Sequence, residues 1–78
     1  MPVPLLELIA SIMEVDASEV DETSDHEALG KWDSMRQIML ATMLESEYGF
    51  TLSNDELERL QSVTNIRSIL AAHNVQGA

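Results

Sequence analysis

The chain has 78 residues, no cysteine, and fourteen Asp and Glu against four Lys and Arg, a formal charge of −10. At that length it is one small domain with an economical core, and the missing cysteines exclude disulfides, zinc–thiolate and iron–sulfur sites and a cysteine nucleophile, which fits a reducing cytosol. The charge repels phosphate backbones and argues against nucleic acid, while a hydrophobic fraction of 45% is too high for a disordered acidic tail.

Leu5, Leu8, Ile9 and Ile12 recur at three- and four-residue spacing. They predict a first helix of about three turns, starting near Pro4 and stopping near Val15. The apolar stretch is too short to span a bilayer and no basic residue precedes it, so the reading is a soluble, unprocessed cytoplasmic monomer. Residues 16–33 form an unusually long polar connection, for which Val20 and Leu29 are the expected anchors into the core. Its residues 16–27 have the length of a calcium loop but fail the test. Asp21 stands where the turn needs glycine, and Val20 occupies a ligand position.

The stretch Gly30-Lys31-Trp32-Asp33-Ser34-Met35-Arg36-Gln37-Ile38 ends that connection and opens a second helix, expected over 34–47. Met35, Ile38, Ala41 and Leu44 are assigned to its apolar side, and Gly49 to its stop. Ser34 and Gln37 have the spacing of a capping box, but Asp33 offers an alternative cap that leaves the Ser34 hydroxyl free. A hydroxyl at a helix start is also well placed to carry an anionic group, because the dipole and the first backbone amides favour negative charge there. Phe50 and Leu52 re-enter the core. Ser53 and Glu56 form a second capping box for a short helix through Leu57 and Leu60. A last helix follows Ser62, with Val63, Ile66, Ile69 and Leu70 on one face as far as His73, and residues 76–78 are expected to fray.

Such stripes can bury only against one another. The predicted fold is therefore all-α: a small four-helix bundle over residues 1–78, three longer helices and a short third one, with a long loop between the first two. His26 and His73 have no evident co-ligand or nucleophile nearby in the sequence and are read as solvated surface residues. No constellation supports a metal site or catalysis.

The run "DSMRQIMLATMLESEYGF", with "LG" before it and "LERLQSVTNIRSIL" after it, resembles the acyl carrier protein family, and the match covers nearly the whole chain. The resemblance implies that Ser34 receives 4′-phosphopantetheine from coenzyme A through a phosphopantetheinyl transferase. It also implies that Asp33 serves as motif residue, helix cap and transferase contact, and that the arm's thiol carries acyl groups as thioesters for loading and processing enzymes. The chain itself is then no enzyme.

This sequence departs from the family's acidic second helix, since Arg36 and Met39 stand where fatty-acid carriers show acids and only Glu45 and Glu47 keep the charge. Met39 either completes the core or joins Met35 and Arg36 in a more apolar docking face for a dedicated partner. Trp32, in a "WDS" run like those of stand-alone secondary-metabolite and aminoacyl carriers, is either a lid over the core or a contact to the arm. The implied setting is fatty-acid, lipid or secondary-metabolite (polyketide-type) biosynthesis, and these departures favour a specialised pathway over housekeeping fatty-acid synthesis. An aminoacyl or peptidyl carrier and an unmodified helical interaction module are the alternatives.

Overall fold

Pro4 accepts the Leu8 amide at 3.0 Å and so opens α1 (Leu5–Met13), whose Leu5, Leu8, Ile9 and Ile12 are buried as their spacing requires. The computed structural model describes residues 4–75. The expected frayed tail lies outside them. Glu14 ends α1 with φ 58° in the left-handed region, a conformation that costs a glutamate on the order of 1 kcal/mol or more and persists only when neighbours fix it. Here Arg36 fixes it. Its guanidinium donates to the Ile12 carbonyl and pairs with the Glu14 carboxylate at 3.3 Å, and Lys31 Nζ adds a contact at 3.7 Å.

The long connection is more ordered than its composition suggests. It contains a 3₁₀ turn at Ala17–Glu19, and the Asp16 amide donates to Glu19 at 3.0 Å. Further on, the Asp25 carboxylate accepts the amides of Glu27 and Ala28 at 3.0 and 2.8 Å. Val20 and Leu29 anchor it in the core as expected, and Arg67 grips Glu22 at 2.8 Å from the last helix. An antiparallel bridge, Asp25 to Ser62, ties the connection to the start of that helix, with the amides of His26 and Val63 each donating across it at 2.9 Å.

The second helix, α2 (Ser34–Tyr48), stops at Gly49, whose φ of 69° is the left-handed conformation that glycine adopts without strain. Its buried residues are Leu40, Ala41 and Leu44. The pattern of the sequence assigns Met35 and Ile38 to that side as well. They are instead 73% and 60% exposed, because nine residues at about 100° each put Met35 opposite Leu44 on the helix. The short α3 (Asn54–Glu58) opens on the expected Ser53–Glu56 box, with Ser53 Oγ accepting the Glu56 amide at 3.2 Å and the Glu56 carboxylate accepting the Ser53 amide at 3.0 Å. Ser62 caps α4 (Val63–Ala72), which buries Val63, Ile66, Ile69 and Leu70. The four helices make the small all-helical bundle that the periodicity predicts. None of them is long and apolar enough to cross a membrane.

Candidate functional site

The junction before α2 is shaped by two side chains. Asp33 is extended, and its Oδ1 accepts the Arg36 amide at 2.9 Å while its carbonyl accepts the Gln37 amide at 2.9 Å. Asp33 is therefore the cap. Ser34 already has helical geometry as the first residue of α2, so it forms no box with Gln37. The Gln37 side chain turns the other way and donates to the Leu57 carbonyl of α3 at 2.9 Å. The Ser34 hydroxyl is left exposed, without a hydrogen bond to any described residue, at the positive end of a fifteen-residue helix.

Trp32 holds this junction in place. It is buried, and its indole N–H donates to the Leu60 carbonyl at 3.0 Å, which fits a lid over the core better than a free ligand contact. Beside Ser34 runs a groove of about 600 Å³, walled by Ser34, Gln37 and Ile38 on one side and by Leu57, Glu58, Arg59 and Gln61 on the other. No signal in the sequence announces this groove, because its far wall lies more than twenty residues along the chain.

The remaining site candidates fall into two groups. Met35 and Met39 stand in the open, Met39 at 47%, so Met39 does not complete the core. Ile38 and Met43, at 60% and 43%, extend the same exposed apolar face. Arg36 and Glu45 instead serve the scaffold: Arg36 closes the end of α1, and Glu45 accepts the Leu52 amide at 2.8 Å. Glu47 is half-buried near the end of α2, beside a small hollow that Met43 also lines.

His26 is exposed as expected. His73 is not the solvated residue the sequence suggests: its Nε2 lies 2.8 Å from a Glu56 oxygen, and its ring sits 4.8 Å from that of Phe50. The Glu56 carboxyl is held below the ordinary glutamate value, first by the Ser53 amide and then by His73. Among the described residues no group of three or more His, Cys, Asp or Glu could hold a metal ion.

In comparison with known proteins, the profile of the phosphopantetheine attachment site family matches residues 4–72. No curated protein matches the chain.

Proposed function

Because the chain belongs to the phosphopantetheine attachment site family, whose members bear 4′-phosphopantetheine on a serine and work as non-catalytic carriers, we propose that Ser34 is the attachment residue and that the protein carries acyl intermediates between biosynthetic enzymes. The observation that carries this reading is the division of labour at the junction. Asp33 caps α2, so the exposed Ser34 hydroxyl is spare, and a phosphodiester placed on it meets the helix dipole that favours an anion by about 0.3 to 1 kcal/mol. When bound, the group supplies a thiol on which acyl chains ride as thioesters. Asp33 keeps the helix start rigid under it, and Trp32 fixes the approach of the chain.

A phosphopantetheinyl transferase and acyl-loading and acyl-processing enzymes are the partners that family membership brings. Met35 and Met39 are exposed beside Ser34. They favour docking on an apolar partner surface, and thus a dedicated lipid or polyketide-type pathway rather than enzymes that read an acidic helix. Arg36 and Glu45 support that face by fixing both ends of α2, and Glu47 borders it beside Met43.

The test is incubation with coenzyme A and a broad-specificity transferase, followed by intact mass. The wild-type protein gains one phosphopantetheine. Ser34→Ala gains none and stays folded, since it removes neither the cap nor buried volume. Modification of Ser34→Ala, or a wild-type protein that is never modified, overturns the reading.

A further inference from the structure

The chain has no cysteine, so methionine supplies all of its own sulfur. The fold divides the described methionines into two kinds. Met13 is fully buried in the core, whereas Met35, Met39 and Met43 are 73%, 47% and 43% exposed. Those three stand four residues apart on α2, so they form a stripe that begins beside Ser34 and runs along the outer side of the helix. Ile38 lies within the stripe. Arg36, the one charged residue of α2 before Glu45, is turned away to the Ile12 carbonyl and Glu14. The three thioethers are thus open to an oxidant, and none of them belongs to the core.

Oxidation of an exposed methionine by a peroxide is an oxygen-atom transfer. The thioether sulfur donates an electron pair to one peroxide oxygen, and the S–O bond forms as the O–O bond breaks. The departing hydroxide takes the proton of the transferred hydroxyl and leaves as water, so sulfur is oxidised by two electrons and the peroxide reduced by two. An apolar, flexible side chain becomes a polar, chiral one, which methionine sulfoxide reductases return to the thioether. Building on the apolar docking face and on attachment at Ser34, we propose that this stripe is a reversible oxidation site: as thioethers it docks partner enzymes, and as sulfoxides it turns them away. The transferase is the first partner affected, because it must cover Met35 to reach the neighbouring Ser34 hydroxyl. A sulfoxide oxygen buried there without a donor should slow transfer at least about fivefold, the low end of the cost of burying an unpaired polar group.

The experiment treats the apo protein, which has no thiol to compete, with hydrogen peroxide and then removes the oxidant. Sulfoxides are located by peptide mass, and phosphopantetheine transfer from coenzyme A by a broad-specificity transferase is timed. Expected is oxidation in the order of exposure, Met35 first, Met39 and Met43 next and Met13 last, with an unchanged melting temperature. The kcat/KM of transfer should fall at least about fivefold and recover with methionine sulfoxide reductases. The triple variant Met35→Leu, Met39→Leu, Met43→Leu keeps an apolar face without an oxidisable sulfur, so its own rate should be the same before and after peroxide. Met13 oxidised as readily as Met35, or an oxidised wild-type protein modified at its original rate, overturns the switch. So does a triple variant that peroxide slows as much as it slows the wild type. Met35→Glu with Met39→Glu separates the two readings: if it is slowed and the oxidised protein is not, the switch alone falls, and if neither is slowed the docking face falls too. A wild-type protein never modified even before peroxide overturns attachment, and the switch with it.

Discussion

Trp32→Phe tests the junction at its most buried point. The indole N–H donates to the Leu60 carbonyl at 3.0 Å, and the ring is 4% exposed. Phenylalanine keeps an aromatic ring there but removes the donor. The Leu60 carbonyl, buried without that partner, then costs about 1 to 3 kcal/mol. The smaller ring leaves a gap that adds roughly 1 kcal/mol at the usual cost per volume of cavity. Together these take about 2 to 4 kcal/mol from a domain of this size, whose whole stability is on the order of 4 to 12 kcal/mol. The melting temperature should fall by roughly 10 to 25 °C. Urea titration followed by far-ultraviolet circular dichroism is the assay, with an unchanged slope as the sign that the unfolded state is unaltered. Because Trp32 lies two residues before Ser34, the rate of phosphopantetheine transfer should drop as well, even at temperatures where the variant is folded. A loss of less than about 0.5 kcal/mol would show that the carbonyl finds another partner, or water, and that Trp32 is no strut.

Three further outcomes are expected from the same contacts and charges. Glu56, its carboxyl held below the ordinary value of about 4.3, contributes stability that is present above that pH and is lost as pH falls through the lower native value, so Glu56→Gln should flatten the acid limb of a plot of melting temperature against pH; an unchanged limb refutes this. Because the chain carries a charge of −10, added salt should raise the melting temperature as the screening length shrinks from about 30 to 8 Å between 0.01 and 0.15 M, and a flat profile counts against self-repulsion. The pair Met35→Glu and Met39→Glu, with Arg36 kept because it holds the end of α1, should fold normally and slow association with a native partner by about tenfold; equal rates sink the apolar docking face.

How much of the fold and site is legible in the sequence depends on the kind of interaction. The stripes of α1 and α4 read correctly because each has apolar residues on one side and polar ones on the other. The sequence of α2, SMRQIMLATMLESEY, carries Met, Ile, Leu or Ala on nearly every side, so its period does not single out Leu40, Ala41 and Leu44 as the inner face. Only packing decides there, and it leaves Met35 and Ile38 outside. Caps read well because they join residues three apart, as Asp33 with Arg36 and Ser53 with Glu56. The ties from Trp32 to Leu60, from Arg36 to Ile12 and from His73 to Glu56 span 28, 24 and 17 residues, and no local rule announces them.

Those distant ties decide the shape of the site more than the local ones do. A helix of five residues is too short to hold itself together in water, so α3 takes its position from what grips it. The Gln37 side chain holds its Leu57 carbonyl from α2, His73 holds its Glu56 carboxylate from the end of α4, and Trp32 holds the Leu60 carbonyl just beyond it. Each grip is a side chain supplied by another part of the chain. Since Leu57 and the residues after α3 form the far wall of the groove at Ser34, the width of that groove is set from outside α3. Ser34 is positioned by a cap that a short sequence window contains, whereas the surface beside it is positioned by three long-range contacts. A substitution at Trp32 or His73 should therefore reshape the groove while leaving Asp33 and Ser34 in place.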